Sequence, residues 1–150
     1  DRWKNGEITL SEKEMSGYRL FSEKLNCVSC HAPPTFTTNA LESNGLYNDY
    51  PNDPGRYRIT GDSTDIGKFK VPSLRNVQLT GPYMHDGSFK TLDDVIDHYN
   101  RGGADHPNKS ELIAPLNLTD SQKEELIAFF VSMSDVAMKN HWEKVFNSQY

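Results

Sequence analysis

The only two cysteines of the chain stand in the run Cys27-Val28-Ser29-Cys30-His31, and no other feature limits the fold as strongly. Two thiols about one helical turn apart can each add to one of the two vinyl groups of a haem, and the adjacent imidazole then lies under the iron. On this reading Cys27 and Cys30 fix a haem c covalently, and His31 is its proximal iron ligand. A CxxC pair also serves as a redox dithiol in a βαβ setting, or as half of a zinc site that has a second ligand pair. Neither context is visible in the sequence, while a structural disulfide stays open as the plainer alternative. One such motif implies one haem.

Composition bears on that reading. Hydrophobic residues make up 35% of the chain; counted without Tyr and with Gly, as average usage is counted, the share is about 37% against a usual ~45–50%. A buried porphyrin supplies core that the side chains lack, and seven Phe, seven Tyr and two Trp anchor the rest. At 150 residues the chain suits one domain, 1–150. Sixteen basic against twenty-one acidic residues leave a net charge of −5, which argues against nucleic acid and against an anionic membrane face as partners. No run of about eighteen apolar residues exists, so no membrane span is expected, and the opening DRWKNGEITL lacks the apolar centre of a signal peptide.

Hydrophobic period and capping signals predict an all-α layout. Ser11 followed by Glu14 forms a capping box and opens a helix from Ser11 to about Leu25, which delivers the chain into the haem motif. Thr119 followed by Gln122 repeats the device for a helix over Asp120 to about Met138. Gly17 inside the first helix costs about 1 kcal/mol relative to alanine, which makes sense if the second long helix crosses there. Thr91 caps a shorter helix, Leu92 to about Asn100, ended by Gly102-Gly103. Leu92, Val95, Ile96 and Tyr99 share one face of it, so Tyr99 points with the apolar stripe. Residues 32–70 have almost no sustained period, which suggests a functional loop.

The runs Phe69-Lys70-Val71-Pro72-Ser73-Leu74-Arg75-Asn76-Val77 and Thr80-Gly81-Pro82-Tyr83-Met84-His85-Asp86-Gly87-Ser88-Phe89 resemble the bacterial di-haem cytochrome c peroxidase family, which includes MauG-like enzymes. The resemblance reaches back through Asp53-Pro54-Gly55-Arg56 to Asp1-Arg2-Trp3 and forward to the Thr119 helix. It implies a cytochrome c-like domain with packed terminal helices and a loop-rich middle around one haem. In that family two such domains stand in tandem, and these motifs belong to the second, so the chain looks like half of such an enzyme. An opening at Asp1-Arg2-Trp3 fits a processed or truncated polypeptide, or one built alongside a separate amino-terminal half.

The resemblance also implies roles. The second domain of the peroxidases typically carries a Met fourteen residues after the His of its PYxHDG motif; here that count from His85 reaches Tyr99. MauG-like members bind iron through a Tyr at the matching place, so Tyr99 is the expected distal ligand, with Met84 as its rival. A bound phenolate favours ferric or higher-valent iron and lowers the potential, whereas a thioether favours ferrous iron. An ordinary core tyrosine is the plain alternative. His85 is expected in the haem environment, hydrogen-bonded and not ligating. Arg75 and Arg56 are candidates for pairing with haem propionates, each equally readable as a surface salt bridge. Thr80 and Pro82 match positions whose backbone carbonyls help bind calcium between domains. His98, off the iron-facing stripe, and His106 and His141, in polar surroundings, are expected at the solvated surface.

Three functions follow as expectations. The first is an oxidoreductase, the second haem domain of an enzyme that reduces hydrogen peroxide and passes oxidising equivalents onward, with an amino-terminal haem domain or a separate haem subunit as partner. The second is a stand-alone monohaem carrier exchanging electrons with a periplasmic electron-transfer protein. The third is a structural role within a multi-haem complex. Covalent haem attachment occurs outside the cytoplasm, so the periplasm is the expected location, with a signal peptide removed or lying upstream.

Overall fold

A computed structural model describes residues 2–135 and residue 137. Capping decides where its helices start. The Ser11 hydroxyl accepts from the backbone of Glu14, and the Glu14 carboxylate accepts from the backbone of Ser11 at 2.7 Å, opening α1 (Glu12–Arg19). The helix widens into a π turn over Leu20–Lys24, then steps through left-handed Asn26 (φ 55°) into a 3₁₀ turn over Cys27–Ser29. Thr91 and Asp94 form a reciprocal box at the head of α3 (Leu92–Arg101), which ends at left-handed Gly102 (φ 81°). Thr119 and Gln122 do the same for α4 (Asp120–Ser132). The expected continuation of that helix to about Met138 lies outside the described residues, as does His141.

Helix α1 packs across α4 at Gly17. A Cβ there would overlap the Glu125 carbonyl and come within 2.9 Å of the Phe129 Cβ, so only glycine admits this approach. Around the crossing, Phe21 (1% exposed) meets Phe36, Phe129 and Phe130 with ring centroids 5.9, 5.3 and 6.1 Å apart. Leu92 and Ile96 of α3 complete this core with Leu118 and Leu126. The fold is therefore helical at its centre.

Between the first haem-motif turn and α3 the regular elements are short. Strands β1 (Leu41–Glu42) and β2 (Phe69–Lys70) pair antiparallel, Leu41 opposite Lys70 and Glu42 opposite Phe69. Helix α2 covers only Tyr57–Thr60. The strand pairing carries residues 43–45 onto the end of α3. There Ala104 donates its N–H to the Gly45 carbonyl at 2.6 Å, and a Cβ on Gly103 would come within 2.7 Å of the Asn44 carbonyl.

That close approach corrects two expectations. His98 is buried, not solvated: it is 5% exposed, its Nε2 donates to the Asn44 carbonyl at 3.0 Å, and its ring meets Phe89 edge-on. His106 is buried as well, its Nδ1 accepting from the backbone of Asn108 and its ring perpendicular to Tyr50 at 5.1 Å. Both face chain segments that lie far away in sequence, where a local reading sees only polar neighbours. No helix among the described residues is long and apolar enough to cross a membrane.

Candidate functional site

The elements converge on a cavity of about 380 Å³, within the range of sites that hold a cofactor. The haem-motif turn contributes Cys27, Cys30 and His31; α3 contributes Leu92, Val95, Ile96 and Tyr99; α4 contributes Leu126 and Phe130. The loops add Ser43, Asn44, Met84 and His85. The sequence thus placed Cys27, Cys30, His31, Tyr99, Met84 and His85 at one site, and the structure brings all six to one cavity.

His31 is pre-set for ligation. Its Nδ1 lies 3.1 Å from the carbonyls of both Phe36 and Pro72. Carbonyls only accept, so Nδ1 carries the proton and shares it between them, which leaves the Nε2 lone pair free. Burial pushes the His31 pKa down, partly offset by those two hydrogen bonds, and so favours the neutral imidazole that a metal ligand must be. Cys27 and Cys30 form no disulfide with each other. Burial pushes Cys27 up to about 11, and burial with the Glu42 charge raises Cys30. This turn follows a helix, and no βαβ unit surrounds it among the described residues, so the setting of a redox dithiol is missing.

Tyr99 lines the cavity from α3, and its hydroxyl accepts from Asn44 Nδ2 at 3.4 Å. Burial raises its pKa, the Asn44 donor lowers it, and the two cysteine thiols raise it further. Met84 sits beside it in a left-handed conformation (φ 69°) that side-chain-bearing residues rarely adopt, and its Sδ accepts from the same Asn44 Nδ2 at 3.4 Å. His85 stacks on Phe69, with centroids 3.8 Å apart and planes at 17°, flanked by Tyr50 at 6.0 Å.

The remaining candidates lie elsewhere. Arg75 is outside the cavity lining; its guanidinium donates to the Pro34 carbonyl and stands 5.7 Å from the Phe36 ring centre. Arg56 pairs with Asp65 at 2.8 Å. Thr80 and Pro82 flank Gly81 in an exposed turn. Among the described residues no group of three or more His, Cys, Asp or Glu could hold a metal ion.

Asn44 and Ser43 are among the cavity residues that no sequence signal singles out. Asn44 carries no period and no motif, and its neighbour Gly45 signals only a turn. Ser43 is fully buried, and its hydroxyl is the one buried side-chain polar atom among the described residues without a protein partner. A hydroxyl stranded in an apolar cavity asks for a polar edge on whatever fills it. Apolar walls, an imidazole with a free Nε2, two thiols beside it and one stranded hydroxyl together fit a porphyrin, apolar in its faces and polar at its propionate edge.

Comparison with known proteins agrees. The family model for cytochrome c matches residues 15–134. A cytochrome-c peroxidase of Denitromonas iodatirespirans is 35% identical over an alignment 164 positions long, gaps included, that covers 89% of this chain and 44% of the peroxidase. The methylamine utilization protein MauG of Methylorubrum extorquens is 35% identical over 136 residues, 89% of this chain and 38% of that protein. The crystal structure of a MauG-like protein associated with microbial copper homeostasis superposes with a TM-score of 0.86 at 36% identity, covering 90% of this chain and 47% of that one. The chain thus spans less than half the length of these relatives, and within that span it belongs to the cytochrome c family.

Proposed function

We propose that the chain is the electron-transferring haem domain of a di-haem peroxidase of the MauG type, working with a second haem domain on peroxide. The observation that carries this reading is the meeting of Tyr99 with the Cys27–His31 motif in one cavity. A bound haem supplies one-electron chemistry at iron. Cys27 and Cys30 hold it by thioether bonds, one haem per chain. His31 binds iron through Nε2, oriented by the Phe36 and Pro72 carbonyls. Tyr99 offers a hard anionic oxygen that favours the ferric state. The apolar wall of Val95, Ile96 and Phe130 excludes water and lowers the local dielectric, which strengthens that preference.

Other residues shape the surroundings. Arg75 pins the loop after the haem motif through Pro34. The Ser43 hydroxyl and the His85 ring supply polar contacts at the cavity. Carbonyls of Thr80 and Pro82 take calcium only with ligands from another domain. The chain acts in the periplasm, where c-type haem is attached, and receives electrons from a periplasmic carrier. The similarity over 89% of the chain to a cytochrome-c peroxidase and to MauG supports this reading over a stand-alone carrier.

The test uses the haem-loaded chain assembled with its amino-terminal haem domain. Peroxide is expected to shift the haem spectrum and to support oxidation of an electron donor. Absence of both responses, with one covalent haem per chain in place, would reject the proposal.

A further inference from the structure

We propose that Asn44 is a positioning residue that selects Tyr99 over Met84 as the side chain offered to the haem iron. The inference rests on the reading of Tyr99 as a ligand and assigns what makes that choice. Two potential iron donors, a phenol oxygen and a thioether sulfur, line the same cavity, and one amide nitrogen holds both. Asn44 Nδ2 lies 3.4 Å from the Tyr99 hydroxyl and 3.4 Å from Met84 Sδ. Its two N–H groups are enough to serve both acceptors at once.

The polarity of these bonds gives the selection its direction. Nδ2 can only donate, so the phenol oxygen is an acceptor and its own proton is left to be lost toward the cavity. A donor to that oxygen stabilises the anion more than the neutral phenol, because hydrogen bonds to charged acceptors are stronger. The thioether of Met84 stays neutral and keeps a second lone pair, so the same amide gives it none of the extra stabilisation that an anionic oxygen draws. The shared donor therefore favours phenolate over thioether.

Asn44 is itself held rigidly, as a selector must be. Its carbonyl accepts from His98 Nε2 at 3.0 Å, and His98 is the immediate neighbour of Tyr99 on α3. Gly103 lets that carbonyl approach α3, since a Cβ would come within 2.7 Å of it. The backbone of Asn44 thus registers on the helix that carries Tyr99, while its side chain reaches the loop that carries Met84. Met84 keeps a left-handed backbone (φ 69°), a conformation that persists only where its surroundings hold it.

The experiment compares haem-loaded wild type with Asn44→Leu, Asn44→Asp, Tyr99→Phe and the double variant Asn44→Leu/Met84→Leu. Haem content and far-UV circular dichroism check folding; optical spectra, EPR and reduction potential report the ligand. Leucine matches asparagine in size and donates nothing, so Asn44→Leu is expected to shift the Tyr99-to-Met84 ligation ratio by about tenfold or more toward Met84. A thioether-type population that mild reductant converts then appears, and the double variant loses it. Asn44→Asp, which puts an acceptor beside the phenol and keeps it protonated, loses the phenolate signature and stands in if the leucine variant fails to load haem. If Tyr99→Phe changes the spectrum while both Asn44 variants keep the wild-type EPR and potential, the selector role is wrong and the Tyr99 reading stands. If Tyr99→Phe changes nothing, both fall.

Discussion

Replacing Gly17 by alanine tests the helix crossing on which the cavity is built. Alanine is favoured over glycine inside a helix by about 1 kcal/mol, so local propensity alone predicts a more stable protein. Packing predicts the reverse. The new Cβ would overlap the Glu125 carbonyl, a backbone group that no rotamer change can move aside, and would press on the Phe129 Cβ at 2.9 Å. Overpacking costs roughly 1–3 kcal/mol, at the upper end where backbone must yield. A cost of about 3 kcal/mol less the propensity gain leaves a net loss of about 2 kcal/mol. In a chain of this size that lowers the unfolding midpoint by about 4–8 °C. Leu126 and Phe130 of α4 and Cys27 beyond α1 line the same cavity, so a widened crossing disturbs haem loading too. Thermal unfolding of the haem-loaded protein by far-UV circular dichroism, with haem content measured on the same samples, reads both effects. An equal or higher midpoint would refute the packing argument and leave propensity as the controlling term.

Phe21→Ala removes the most buried aromatic of the core and is expected to cost about 3–5 kcal/mol, seen as loss of cooperative urea unfolding or of soluble haem-loaded protein. Asp94 accepts from the Thr91 hydroxyl at 2.7 Å and its backbone at 3.0 Å, which holds its carboxyl below the ordinary range. Its contribution to stability is therefore present at neutral pH and lost as pH falls through that lowered value; Asp94→Asn should flatten the acid limb of a stability-against-pH curve, and an unchanged limb would count against the cap. Burial raises the Asp86 pKa, but hydrogen bonds from Tyr47 and Ser88 outweigh it and leave the carboxyl at about 2. Tyr47→Phe should raise that value toward the ordinary carboxylate range, and NMR titration of the Asp86 carboxyl would show no movement if the bond were absent.

The parts of the site that lie on helices were legible in the sequence. Capping boxes at Ser11 and Thr119 located the starts of α1 and α4, Gly17 announced their crossing, and the 3.6-residue period turned Tyr99 inward. These are local signals, each read within a few turns of one helix. Asn44 and Ser43 were not legible, because their place depends on the pairing of β1 with β2, whose partners stand nearly thirty residues apart. The same long-range docking buried His98 and His106, where a helical wheel and a polar neighbourhood pointed to solvent. Arg75 is a candidate for haem propionates by its bidentate chemistry, while its bond to the Pro34 carbonyl, forty-one residues back in the chain, has no signal in the sequence. Motifs name residues; only the tertiary path of the loops says what each one meets.

The proposed function turns on Tyr99 meeting the iron of a haem attached through Cys27 and Cys30 and bound by His31. The most direct measurement is the optical and EPR spectrum of the ferric haem-loaded protein, before and after a mild reductant, with Tyr99→Phe alongside. The expected result is a wild type that resists mild reduction and a variant whose spin state changes. A protein that reduces readily, shows thioether ligation and keeps its spectrum in Tyr99→Phe would contradict it.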